Sequence, residues 1–166
     1  NEVIGRILLP NRVAIAYNST AHECYCTYGD LGEETVAVID GLGGVPMRRY
    51  QVPGAWRPVW DSVANRLYVS TVLDDVAVIG CTNDSVIARI PVGEAPDRMY
   101  LNTRRRKLYV LNYYVGSVSI IDLETLQVLA THTVADAVHS GCYAEAADKF
   151  YVEKIGGIAV IDGQTN

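Results

Sequence analysis

Apolar and polar positions alternate with a period of two over short runs along the whole chain, and the runs recur every forty-odd residues. Val118-Ser-Ile-Ile-Asp122 returns as Val36-Ala-Val-Ile-Asp40, Val76-Ala-Val-Ile-Gly80 and Ile158-Ala-Val-Ile-Asp162. A second marker, Leu108–Tyr109, returns as Leu67–Tyr68, Phe150–Tyr151 and Cys24–Tyr25. The tyrosines are 43, 41 and 42 residues apart (68−25, 109−68, 151−109). Alternation over four to eight residues, bounded by Gly, Asn and Asp, is the pattern of a β-strand between turns. Both faces of these runs are apolar over much of their length, as in a sheet covered on both sides. A unit of four such strands cannot bury two apolar faces alone and must stack on copies of itself. Radial stacking of four-stranded blades is the β-propeller. The fold class expected is therefore all-β: a propeller of four four-stranded blades per chain, with no helix longer than one turn.

The fourth strand of each unit reads Pro46–Pro53, Val86–Gly93 and Val128–Ala135, and a further copy, Val3–Pro10, stands at the start of the sequence. The last unit reaches Asp162 and a turn, without a fourth strand of its own. Counting through the two ends, 166−128+3 gives 41, so the register continues across them. The expected division is blade 1 at 11–53, blade 2 at 54–93, blade 3 at 94–135 and three strands of blade 4 at 136–166. Residues 1–10 would then supply the missing strand of the last blade and hide the sheet edges. Four repeats close either as a compact four-bladed ring or, with a second chain, as a dimeric eight-bladed ring, and the dimer is the arrangement expected.

These residues resemble the YVTN family of β-propeller repeats: Leu108-Tyr-Val110, the Val-x-Val-Ile-Asp of 36–40, and Ile90-Pro-Val-Gly93 followed by Pro96. The likeness covers essentially the whole chain. Cys24-Tyr-Cys26, Gly80 and His132 depart from the repeat locally. The resemblance implies a propeller and an extracellular or cell-surface setting. It implies no particular chemistry, since one propeller scaffold hosts many functions.

Composition narrows the field. At 166 residues the chain has the length of one domain. A net charge of −5 with scattered Arg and Lys does not point to nucleic acid. No apolar run approaches the roughly 20 residues of a membrane-spanning helix. The sequence opens inside a strand register without a Met, which reads as a processed, excised or engineered segment.

Candidate chemistry is sparse. Cys24, Cys26, Cys81 and Cys142 have no metal-ligand spacing relative to one another or to His22, His132 and His139. A His22/Cys24/Cys26 site is conceivable, but Cys24 and Cys26 fall where other repeats carry Leu and Val, so small buried hydrophobes is the reading taken. No cofactor or metal is expected. Asp30, Glu33 and Glu34 form an acidic loop without the spacing of a calcium-binding loop. The basic run Arg104–Lys107 falls in a tight turn, where such charges are ordinarily solvated.

Trp60, eight before Tyr68, matches Tyr17 and Tyr143 in their own units and reads as a packing residue. Trp56 and Arg57 lie instead in a connection between blades. Such connections share one end of a propeller with the loops between second and third strands. That end collects Asn11, Arg12, Trp56, Arg57, Asp97, Arg98 and His139 from the first set, and Asp74, Asp75, Tyr113, Tyr114 and Lys154 from the second. Trp56, Arg57, Asp97, Arg98, Tyr113, Tyr114 and His139 are the candidate binding residues, because aromatic and arginine side chains on loops are what binding surfaces favour. No nucleophile elbow, zinc-protease helix or phosphate loop occurs. The expectation is a non-catalytic module for protein or ligand binding or structural assembly. The alternative is a lyase or hydrolase, with or without metal assistance, using His139 with acidic neighbours such as Asp97 and Asp136.

Overall fold

The computed structural model describes residues 2–165 except 4, 10, 12, 13, 30–33 and 135. Arg12 of the loop set, and Asp30 and Glu33 of the acidic loop, thus lie outside the described residues. Among the described residues the protein is all-β, apart from a single 3-10 turn at Glu145–Ala147. Its first antiparallel sheet contains β1 (Ala14–Asn18), β2 (Glu23–Tyr28), β3 (Thr35–Asp40) and β4 (Pro46–Gln51). The second contains β5 (Ala55–Asp61), β6 (Arg66–Thr71), β7 (Asp75–Gly80) and β8 (Ser85–Pro91). The third contains β9 (Pro96–Asn102), β10 (Lys107–Asn112), β11 (Ser117–Asp122) and β12 (Gln127–Thr133). The fourth has three strands: β13 (Gly141–Ala144), β14 (Lys149–Lys154) and β15 (Gly157–Asp162). Within each sheet the strands pair in chain order.

The turns explain why the period survives. Left-handed backbone recurs between first and second strands at His22, Asn65, Arg106 and Asp148, with φ between 48° and 55°. Those positions are 43, 41 and 42 residues apart, the spacing of the tyrosines. Left-handed backbone is uncommon outside Gly, so its recurrence marks one hairpin geometry used four times. The aspartate closing the third-strand motif has a turn to hold. Asp122 Oδ1 accepts the N–H groups of Glu124 (2.8 Å) and Thr125 (2.7 Å), and Asp162 Oδ1 those of Gln164 (2.8 Å) and Thr165 (3.1 Å). Asp40 accepts that of Leu42 (3.0 Å). Such Asx turns are a local use of a short carboxylate.

Consecutive sheets stack face to face with one core per joint. Tyr25, Val36 and Val38 of the first sheet meet Leu67, Val69 and Ile79 of the second. Tyr68, Val76 and Val78 meet Leu108, Val110 and Ile121 of the third. Tyr109, Val118 and Ile120 meet Phe150, Val152 and Ile161 of the fourth. Among the described residues no fourth core joins the last sheet to the first. Among the described residues the four sheets thus stack in series, with exposed apolar side chains such as Ile15 on the first and Ile158 on the last.

The same openness bears on residues 1–10. Their described members form no strand, Val3 and Leu8 are 77% and 92% exposed, and β15 pairs with β14 alone. Among the described residues, then, the last sheet has three strands rather than the four expected. Asn11, just after this stretch, bridges to Gly29 beside the first sheet, whereas β15 belongs to the fourth.

The basic run is not simply solvated. Arg106 donates through both terminal nitrogens to the fully buried Asp61 (3.0 and 2.7 Å) and through Nε to Glu124 (2.7 Å). Arg105 donates to Asp148 (2.8 Å), and Lys107 Nζ to the Gly163 carbonyl (2.7 Å). Three of the four charges thus tie neighbouring hairpins and blades together. Trp60 packs against the first core, as its repeat position predicts.

Candidate functional site

The loop end is built by strand irregularities as much as by loops. A β-bulge interrupts the pairing of β5 with β6 between Ala55 and Arg57, at Trp56. A second interrupts β9 against β10 in the stretch between Pro96 and Met99 that holds Asp97 and Arg98. Bulges bend a strand and re-aim its side chains. Hydroxyls of the preceding blade fix both bulges: Thr27 donates to the Trp56 carbonyl (2.7 Å) and Ser70 to that of Asp97 (2.9 Å).

Trp56 and Arg57 converge on one carboxylate. Trp56 Nε1 donates to Asp97 Oδ1 at 2.7 Å, and Arg57 Nε donates to the same oxygen. The Arg57 guanidinium carbon lies 5.7 Å from the centroid of the Trp56 ring, within cation–π range. Arg98 is more exposed, with Nε 4.0 Å from Asp97 Oδ2. Opposite this group the loop after β6 approaches the one before β9. Asp74 Oδ1 accepts the Ala95 N–H (2.9 Å), and the Ala95 carbonyl accepts the Tyr113 N–H (3.0 Å).

Between these elements opens a cleft of about 560 Å³, lined by Trp56, Arg57, Asp97, Tyr113 and Tyr114 together with Val72, Asp74, Glu94, Ala95 and Pro96. That volume lies within the range of small-molecule sites. Five of the seven candidate binding residues therefore share one cavity. The other two do not line it: Arg98 points to solvent beside Asp97, and His139 sits edge-on to Tyr113 with centroids 4.9 Å apart. Tyr113 and Tyr114 are in edge contact themselves, at 5.2 Å. Asp75 is occupied elsewhere, accepting from Arg89 (2.9 Å) and Thr71 (2.7 Å).

Sequence reasoning missed Glu94, whose repeat position carries no marker, and it missed a regularity that was there to see. Trp56, Asp97 and His139 each lie twelve residues before the tyrosine of their repeat (68−56, 109−97, 151−139). One backbone position thus delivers an indole, a carboxylate and an imidazole to the same end of three successive blades. Glu34, the described member of the acidic loop, is buried and accepts the Gly54 N–H (2.9 Å). His22 lies in the β1–β2 turn, bonded to the Tyr17 hydroxyl (3.1 Å), rather than on the strand with Cys24. Burial, and the charge of Cys24 beside it, push the Cys26 thiol up to about 11, so it stays protonated at neutral pH. Among the described residues no three His, Cys, Asp or Glu side chains gather as a metal site.

Stacked antiparallel blades with their loops collected around a cleft at one end define a propeller-type protein. No protein-family model matches the sequence, and no curated protein matches it. Among solved structures the chain is similar to Kuenenia stuttgartiensis hydrazine synthase, with 15% identity and a TM-score of 0.81 over 98% of this chain and 49% of that one. It is also similar to apo AztD from Citrobacter koseri, with 13% identity and a TM-score of 0.70 over 98% of this chain and 46% of that one. Both are propeller-type folds, and at these identities the likeness is one of fold alone. The chain spans about half the length of each.

Proposed function

We propose that the protein is a non-catalytic propeller module of YVTN type that binds a partner or ligand through the cleft at its loop end. The observation that carries this reading is the convergence of Trp56, Arg57, Asp97, Tyr113 and Tyr114 on one cavity of about 560 Å³. The lining also points to the chemistry of the occupant. Arg57 and Asp97 neutralise each other, which leaves Asp74 and Glu94 as the net charge beside three aromatic rings. A cationic group carried on an apolar stem, such as an arginine or lysine side chain of a protein partner, matches both features. The lyase or hydrolase alternative is less well supported. Asp97 already accepts from Trp56 and Arg57, and His139 lies edge-on to Tyr113 outside the cleft lining.

The proposal extends to assembly. An arc of four blades with open ends, similar over its whole length to half of longer propeller-type chains, favours an eight-bladed ring of two protomers. Residues 1–10 would then supply the outer strand of a last blade.

Isothermal titration calorimetry with a short peptide containing two arginines tests the binding reading. Saturable binding by the wild type, lost in the Trp56→Phe/His139→Ala double variant, is the result expected. An unchanged isotherm in that variant, or no binding by the wild type, overturns the site or its ligand class.

A further inference from the structure

The three joints inside the chain are copies of one another, and the pattern states what a fourth would contain. The third strand of each blade presents two apolar side chains to the next blade. At the first position Val36, Val76 and Val118 are wholly buried, whereas Ile158 of the last blade is 66% exposed. At the second Val38, Val78 and Ile120 are wholly buried, whereas Val160 is 52% exposed. The opposite end of the arc is the receiving face. Ile15 and Tyr17 pair across the first sheet with Cys26 and Cys24 and so share their face. Ile15 is 64% exposed, Tyr17 exposed and Cys24 half-buried, while Cys26 deeper in the face is already covered.

The first strand makes the fourth joint distinctive. Nine residues before each tyrosine stands a side chain that shares a core with the residue just before the next blade's tyrosine. Ala16 shares a core with Leu67, Val59 with Leu108 and Tyr100 with Phe150. The last of these pairs brings two rings to 5.3 Å. Continued one step, the rule pairs Cys142 (151−9) with Cys24 (25−1). Both are free thiols, and Cys142 is exposed in the single chain.

We propose that a second copy of this chain makes the fourth joint: blade 4 of each protomer stacks on blade 1 of the other, and Cys142 lies against the partner's Cys24. A presenting face and a matching receiving face stand at the two ends of one arc, so two copies related by a two-fold axis satisfy both. Each new joint continues the stacking already made three times within the chain. This rests on the eight-bladed assembly proposed above. Stacked sheets lie about 10 Å apart, farther than the Cα separations of about 4.4–6.8 Å that a disulfide needs. The two thiols therefore stay reduced neighbours, within reach of a short two-armed reagent.

The test is cross-linking of the intact protein with a short bismaleimide, in which each arm adds across one thiol and no oxidant is consumed. Light scattering supplies the mass in parallel. A covalent species at twice 18.2 kDa is expected, lost in Cys142→Ser and in Cys24→Ser and retained in Cys26→Ser and Cys81→Ser. A dimer by scattering whose cross-link is absent, or insensitive to the Cys142 and Cys24 changes, overturns the thiol pairing and leaves the ring standing. A particle of 18.2 kDa overturns both. A link between Cys24 and Cys142 within one chain overturns the second copy in favour of a four-bladed ring.

Discussion

Arg106→Met is expected to lower stability well beyond an ordinary surface change, because it strips a partner from a carboxylate that is wholly buried. Arg106 grips Asp61 with both arms of its guanidinium, at 3.0 and 2.7 Å, and Asp61 is fully buried at the end of β5. The pair joins the third blade to the second. What remains to Asp61 in the variant is the backbone, including the Val63 N–H at 3.0 Å. Removing one partner of a buried pair costs about 3–5 kcal/mol, because the other charge is left uncompensated. In a chain of this length each kcal/mol moves Tm by about 2–4 °C, so a fall of roughly 6–20 °C is expected in a far-UV circular dichroism melt at neutral pH. Asp61→Asn/Arg106→Met, which removes the orphaned charge, recovers part of that loss. The pH dependence has a definite sign. Burial pushes the Asp61 carboxyl up, but the bonds and charge of Arg106 and the N–H groups of Val63 and Ala64 outweigh it, and the group sits below its ordinary value. The stabilisation is thus complete above the unfolded carboxylate pKa and lost as pH falls through the lower folded one. Without Arg106 the upward push of burial dominates, the variant takes up its proton at higher pH, and the gap between the two proteins narrows on acidification. A Tm change under about 2 °C, or a gap that does not vary with pH, refutes this reasoning.

Other consequences are smaller in scope. Ile120→Ala should cost about 2–5 kcal/mol in urea unfolding, while Val160→Ala, at the same position of the open last blade, should cost under about 0.5 kcal/mol in the dissociated chain and weaken its association. Asp122→Ala removes the acceptor of the Thr125 and Glu124 N–H groups and should cost about 1 kcal/mol. Because those bonds hold the Asp122 carboxyl below its usual value, the wild type's advantage in urea midpoint should also disappear as pH falls through the carboxylate range. Gly93→Ala would set a Cβ 2.6 Å from Asn112 Nδ2 and 2.7 Å from its Cγ. That Asn112 side chain is buried and donates to Ser117 and Ser119 at 2.9 Å each, so a calorimetric loss of about 1–3 kcal/mol is expected.

Apart from the strand expected over residues 3–10, whose described members form none, the strands, their order and their hairpins were legible in the sequence because each is fixed within a dozen residues. Alternation sets which face Val118 and Ile120 share, and an aspartate at the end of β11 sets the turn that follows it. The repeat period then forces like units to stack, since none can cover two apolar faces alone. The loop end could also be named from the repeat, although only five of the seven candidate side chains line its cleft.

Tertiary structure decided what those positions do to one another. Trp56 and Arg57 share the Asp97 carboxylate across a blade boundary forty residues away in the chain, and the bulge at Trp56 carries no residue signature. The basic turn looked solvated because its partners Asp61, Asp148 and Gly163 come from other hairpins. Closure, above all, was not local information: alternation gives Val78 and Val160 the same environment, and only the stacking order shows that one meets a neighbour within the chain and the other does not. Sequence by itself determined the repeating unit, because its forces act between near neighbours. The curvature of the arc, and hence which faces stay open, depends on how whole sheets pack, and that belongs to no single repeat.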